Sequence, residues 1–257
     1  MARAVNDATL QKAGDIYQYL IALKDCFDLA DGDTLQIETN GDVSIINDMG
    51  GRFQKEVKHH VGKSFISDRD IDFWKTLANW YVDYERVKNF SSYILSTTAT
   101  IREDSPFYGW NNTAKTEKLT RLKEIGTVSK KNEETFRFQY NRIFGNSYDE
   151  NHLLEILDKF TIEAAKNSIA GISNEFSKYV GHIPSENRDT NMQTALSLSI
   201  CTFSFGLLLA LVWLGVHNGT VFLIQIKLDI ESVQPFRLFP QLIFKGKRLF
   251  NLCLCGL

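Results

Sequence analysis

Apolar residues Ile16, Leu20, Leu23 and Phe27 recur at steps of three and four within residues 8–30, the spacing that lines up side chains on one helical face. Asp31-Gly32-Asp33 closes that segment. Residues 34–39 alternate apolar and polar side chains, as a half-buried strand does, and residues 42–46 read as the return strand. Asn40-Gly41 between them predicts a two-residue hairpin turn, because both central positions of that turn need a positive φ. A second turn at residues 47–51 leads into a third strand over residues 52–59, which makes an antiparallel meander. A long helix is predicted for residues 67–86, with Ser67 as N-cap, Asp70 three residues on, and Ile71, Trp74, Leu77, Ala78 and Tyr81 on its apolar face. Residues 93–98 read as a short strand. Residues 115–179 read as mostly helical, broken near Gly126, Gly145 and Gly171. The order predicts an α/β core with a helical extension.

The pattern changes after residue 190. No Asp, Glu, Lys or Arg occurs from Thr190 to Ile226. The residues beyond 190 hold five basic and two acidic side chains, a net +3, so residues 1–190 carry −5 of the total −2. The division predicted from this is a water-facing domain over residues 1–185 and an apolar tail over 186–257. Residues 195–216 are long enough to span a bilayer as a helix. Three readings are open for that segment: a membrane anchor, a truncated or frame-disrupted C-terminus, and a buried core element.

At 44% hydrophobic, 23% charged and 12% aromatic residues, the 257-residue chain is ordinary for a folded protein, which excludes global disorder and a disulfide-stapled miniprotein. A net charge of −2 supplies no global field for nucleic acid, so such contacts need a local patch. Cys26 alone precedes residue 190, and Cys253 and Cys255 lack a second Cys/His pair, so neither a disulfide framework nor zinc is expected. The N-terminus has no apolar core of a secretory leader. The expected location is the cytoplasm, with residues 195–216 as the membrane contact under the anchor reading.

The candidate chemistry lies at Asp42 and at Glu56-Val57-Lys58. Strand alternation puts Glu56 and Lys58 on one face and Val57, with Phe53, on the other, toward the core. Asp42 opens the neighbouring predicted strand. A pair of carboxylates suits Mg2+, and a lysine beside it can orient or deprotonate an attacking water or neutralise charge on a phosphate. Solvated strands also carry such a trio by chance. Gln54 shares the Glu56 face. Glu38, placed opposite Val43 by a two-residue turn, should face away from Asp42. His59 and His60 read either as phosphate contacts or as a solvated strand end. Lys115, Lys118, Arg121 and Lys123, with Lys130 and Lys131, read either as a track along a DNA backbone or as a solvated helix face with Glu117 and Glu124 interspersed. Trp74 reads as core.

A wider string of residues points to a family. It comprises Gly14-Asp15-Ile16-Tyr17-Gln18, Ile37-Glu38 with Gly41-Asp42-Val43, Glu56-Val57-Lys58-His59, and Asp72-Phe73-Trp74-Lys75-Thr76-Leu77 with Asn79-Trp80. It resembles the N-terminal nuclease domain of double-stranded DNA endonucleases that act as effectors in bacterial cyclic-oligonucleotide (CBASS) anti-phage defence, members of the PD-(D/E)xK superfamily. The resemblance is dense over residues 13–101 and thinner to about residue 182. It implies a restriction-endonuclease-like mixed sheet flanked by helices. It also implies Asp42 and Glu56 as ligands of Mg2+, with Mn2+ as a substitute, Lys58 serving the water, and Gln18 beside the site. Many relatives carry Gln where Glu56 stands. Double-stranded DNA would be the substrate, and cutting both strands calls for a homo-oligomer. The relatives continue into a ligand-sensing domain that is not visible here, which leaves a second functional reading: a catalytically silent nuclease-fold module that binds DNA or tethers to a membrane.

Overall fold

The computed structural model describes residues 9–60, 62, 64–131, 133–176, 212–217, 220–229 and 241–249. In chain order the elements are α1 (Thr9–Phe27), β1 (Thr34–Ile37), β2 (Val43–Asn47), β3 (Gly50–Lys58), α2 (Ile71–Val82), α3 (Tyr84–Val87) and β4 (Ser92–Thr97). After a 3-10 turn (Trp110–Asn112) come α4 (Lys115–Thr127), α5 (Glu134–Phe144), α6 (Glu150–Lys159), β5 (Phe160–Glu163), α7 (Ile169–Phe176), β6 (Val212–His217), β7 (Thr220–Asp229) and β8 (Gln241–Leu249). The fold is mixed α/β. The first five strands pair in both directions, antiparallel in one compact unit and parallel in the other, and helices flank them. The units are Met1–Gly50 with Asn167–Leu257, and Gly51–Lys166.

In the first unit, β1 lies between β2 and β8, antiparallel to both, with Ile37 opposite Val43 on one side and Leu242 on the other. Strands β7 and β6 extend the antiparallel pairing beyond β8. Leu35, Ile37, Val43 and Ile45 are buried at alternate positions, and Ser44, on the opposite face of β2, is buried as well. Helix α1 buries Tyr17, Leu20 and Ile21, whereas Ile16 is exposed, so the buried stripe is rotated from the expected one and shares only Leu20 with it. Near its C-terminal end, Lys24 forms an ion pair with Glu175 of α7.

The hairpin turn differs from the expected two-residue form. Five residues, Glu38 to Asp42, separate the paired Ile37 and Val43. The left-handed positions are Glu38 (φ 59°) and Gly41 (φ 106°), not Asn40. Asn40 instead donates from Nδ2 to Gln36 Oε1 at 3.1 Å, and Glu38 N–H closes the loop on Asp42 O at 3.2 Å. A longer loop removes the demand for a positive φ at Asn40 and transfers it to Glu38.

In the second unit, β3, β4 and β5 run parallel with β4 in the middle. Phe160 pairs with Tyr93, and Ile162 with Leu95. Against this row packs an aromatic core of Phe73, Trp74, Trp80, Phe107, Trp110 and Phe160, none more than 1% exposed. Trp74 is core as expected, its Nε1 donating to Asp68 O at 2.9 Å. Helix α2 begins four residues later than predicted. Asp70, not Ser67, is the N-cap, with its carboxylate accepting from Phe73 N–H at 3.0 Å. The region read as helical throughout also contains β5, a four-residue alternation too short to stand out beside the helical pattern of α6. Gly171 lies inside α7 and does not break it.

Two arginines close the end of α4. Arg137 donates to Gly126 O at 2.6 Å and to Val128 O at 2.9 Å, and Arg69 donates to Ile125 O at 3.3 Å. Both cations thereby meet the negative end of the helix dipole. Glu133 binds both guanidiniums. Burial pushes its carboxyl up, but Arg137, the Lys130 N–H and the Ser129 hydroxyl outweigh it and bring the value down to about 2. A depressed carboxylate stabilises the fold fully above its ordinary value of 4.5 and loses that contribution as pH falls toward 2. The urea midpoint gap between wild type and Glu133→Gln is therefore expected to be constant from about pH 7 to 5 and to shrink steadily below it. A gap of the same size at pH 3 and pH 7 would exclude this linkage.

Of the candidate membrane segment, residues 195–211 lie outside the described residues, and residues 212–216 fall in β6. Among the described residues no helix is long and apolar enough to cross a membrane. Cys201, Cys253 and Cys255 also lie outside the described residues.

Candidate functional site

The candidate residues form two groups, one in each unit. In the first, Gln18 on α1 is 7% exposed and reaches the β1–β2 loop. Its Nε2 donates to Glu38 Oε1 at 2.7 Å and to Asp42 O at 2.9 Å. One amide thus ties the helix to both acidic residues of the loop. Glu38 turns toward Gln18 instead of facing away, because its left-handed backbone reverses the expected side-chain direction. A non-glycine residue in that region costs about 1–3 kcal/mol, and such strain concentrates at functional positions. Asp15, one helical turn before Gln18, has its carboxyl raised by burial and then by the charge of Asp42. Tyr19 is pushed far up by burial, Asp15 and Glu38. The loop therefore carries concentrated negative charge. Sequence reasoning did not place Asp15 there, although its three-residue spacing from Gln18 is a local signal.

In the second group, Gln54, Glu56 and Lys58 occupy alternate positions of β3 and share one row. Lys58 Nζ lies 3.1 Å from Glu56 Oε2, with side-chain exposures of 23% and 12%. The parallel register sets this row beside Tyr93, Leu95 and Thr97 of β4, all buried. Gln54, Glu56 and Lys58 thus share the face of β4 that carries the aromatic core. The opposite row is not simply apolar either, since it holds the buried Lys55 beside Val57, with Lys55 Nζ 5.0 Å from the centroid of the Phe53 ring. The expected split into one polar and one apolar face is corrected accordingly, because helices cover sheets of this kind on both faces.

His60 follows the row. Its N–H donates to Thr98 Oγ1 at 2.8 Å, and its Nε2 lies 3.5 Å from Asp72 Oδ2. His59 is held below its ordinary value by burial and then by His60.

The basic row on α4 is not continuous. Lys118 is 3% exposed and donates to Leu157 O at 2.9 Å and Phe160 O at 2.8 Å. Its expected place on a DNA-facing surface is corrected. Position 118 lies four and seven residues before Leu122 and Ile125, on the buried stripe, and the ammonium caps the C-terminal carbonyls of α6. Burial lowers its pKa. Arg121 donates to Pro106 O and Tyr108 O, both at 3.1 Å, and pairs with Glu117. Lys115 lies 3.5 Å from Asp158, and Lys130 pairs with Asp68.

Among the described residues no group of three or more His, Cys, Asp or Glu side chains is gathered into a ready metal cage. The carboxylates of Glu38 and Asp42 in the first unit, and that of Glu56 in the second, are each hard oxygens of the kind Mg2+ takes along with water. The buried, unpartnered carboxamide oxygen of Gln54, one position along the row from Glu56, is a further acceptor for such water.

No protein-family model matches this chain, and no curated protein does. Among solved structures it is similar to the Acinetobacter baumannii Cap4 SAVED/CARF-domain containing receptor, at 12% identity and a TM-score of 0.41 over 77% of this chain and 43% of that one. It is also similar to the Moraxella osloensis Cap4 SAVED/CARF-domain containing receptor, at 13% identity and a TM-score of 0.36 over 77% and 44%. The chain thus spans less than half the length of these structures.

Proposed function

We propose that this chain is a metal-dependent endonuclease of double-stranded DNA that serves anti-phage defence. The observation that carries the reading is the Glu56–Lys58 pair, an acid and an ammonium 3.1 Å apart on one half-buried strand row. It supports the family motif in which one strand supplies both a metal ligand and a base or electrostatic partner. The cross-link from Gln18 to Glu38 and Asp42 adds support, since it orders the second carboxylate-bearing segment.

Under this reading the Glu56 carboxylate would be a ligand of the Mg2+. When bound, the ion supplies Lewis-acid polarisation of the phosphate and charge neutralisation. Lys58 holds the attacking water by hydrogen bonding and offsets negative charge as it grows on the phosphate oxygens. Glu56 keeps the ammonium aimed, because its carboxylate fixes the end of a flexible chain. Gln18 restrains the Glu38–Asp42 loop so that the Asp42 carboxylate is presented in one orientation. Two copies of the chain would be needed to cut both strands, so a homo-oligomer is part of the proposal.

The test is supercoiled plasmid incubated with the full chain in Mg2+, in Mn2+ and in EDTA. Nicked and linear DNA are expected with either metal and neither product in EDTA. Supercoiled DNA persisting in Mg2+ and Mn2+ at stoichiometric protein counts against the nuclease reading.

A further inference from the structure

Gln54 violates a rule that nearly all buried side chains obey. It is 3% exposed, and its Oε1 accepts no hydrogen bond. The neighbour across the register, Tyr93, cannot supply one, because its hydroxyl donates to Val87 O at 2.8 Å. Leaving a buried amide oxygen unpaired costs roughly 1–3 kcal/mol, and an apolar residue of the same shape would avoid that penalty. An orphan acceptor of this kind calls for a donor that is not protein, a water or an ion-bound water. Its position is specific, because Gln54 is on the Glu56–Lys58 row, two residues before Glu56. Residues two apart along a strand are separated by about 6.7 Å. Side chains at that spacing on one row can meet directly, as Glu56 and Lys58 do at 3.1 Å, or through one shared water.

We propose that Gln54 is a positioning residue for the metal site, its Oε1 accepting a hydrogen bond from a water in the hydration shell of the ion that Glu56 binds. The proposal rests on the metal-dependent reading above. It explains why an amide is kept where packing alone favours an aliphatic side chain. It also assigns a role to the partial hydration of Mg2+, which retains waters that need acceptors around them.

The full chain is titrated with Mg2+ by calorimetry, and with Mn2+ by electron paramagnetic resonance, in wild type, Gln54→Met and Gln54→Glu. Urea midpoints are measured without metal. Gln54→Met keeps the volume and removes the acceptor. It is expected to bind both ions about 10- to 100-fold more weakly, the usual loss when an outer-shell partner is removed, while its metal-free urea midpoint is unchanged or raised. Gln54→Glu keeps an acceptor and is expected to bind at least as tightly as wild type. Wild-type affinity in Gln54→Met overturns the proposal, as does weaker binding in Gln54→Glu. Loss of binding in Gln54→Met together with a lowered urea midpoint shows a structural role instead and overturns it too. A wild-type chain that binds neither ion defeats the metal-dependent reading itself. A wild-type chain that binds them while Gln54→Met binds equally well defeats only the role of Gln54.

Discussion

Lys58→Ala is expected to lower the rate of plasmid cleavage at least about a hundredfold, the scale of removing one acid–base or electrostatic group from a reaction centre. The side chain is only 23% exposed and ends beside the Glu56 carboxylate, so its loss removes a charge from the row without opening a cavity in the aromatic core. The fold should lose up to a few kcal/mol, because the ammonium is taken from a Glu56 carboxylate that is only 12% exposed. DNA affinity should change little, since one cation among many phosphate contacts shifts binding modestly. Initial nicking rates in Mg2+, together with a gel-shift titration in EDTA, separate the two effects. A variant that cuts at the wild-type rate removes Lys58 from the mechanism. A variant that loses binding and cutting in proportion makes it a DNA contact.

Phe160→Ala should destabilise the chain by about 3–5 kcal/mol. The ring is fully buried and lies 5.5 Å from Phe73, 5.1 Å from Trp80 and 5.5 Å from Trp110, centroid to centroid. Edge-to-face and stacked pairs add to plain burial, so truncation removes several contacts together. The residue also opens β5, and its carbonyl accepts from buried Lys118, which makes relaxation of the surrounding backbone difficult. Phe138→Ala is the control. That ring is 64% exposed, and its loss should stay within about 0.5 kcal/mol. Urea midpoints of both variants decide the matter. A loss below about 1 kcal/mol for Phe160→Ala would show that the aromatic cluster is not the centre of stability in its unit.

Much of the architecture is written in short-range patterns. Helix α1, the alternation of β1 and β2, and helix α2 follow from spacings of two to four residues, and each is present within a few residues of its expected bounds. The shared row of Glu56 and Lys58 is equally local, because period-two alternation puts residues two apart on one face whatever the strand packs against. The 3.1 Å pair between them needs no distant partner.

Other features depended on residues far away in the chain. The direction of Glu38 came from the loop closing through Glu38 N–H to Asp42 O and from an amide twenty residues earlier. Strand β5 exists because residues 160–163 pair with β4, whereas their local pattern is continuous with α6. Lys118 was legible as a surface cation by type, but its neighbours 39 and 42 residues on made it a buried cap. Gln54 is polar by type and buried by placement, which is why its candidate role emerged only from the unpaired oxygen. Periodicity, caps and turn chemistry act within one or two turns of backbone and can be read from the chain. Which polar side chain is sealed from water, and which acceptor it then meets, is set by elements packed against it from elsewhere.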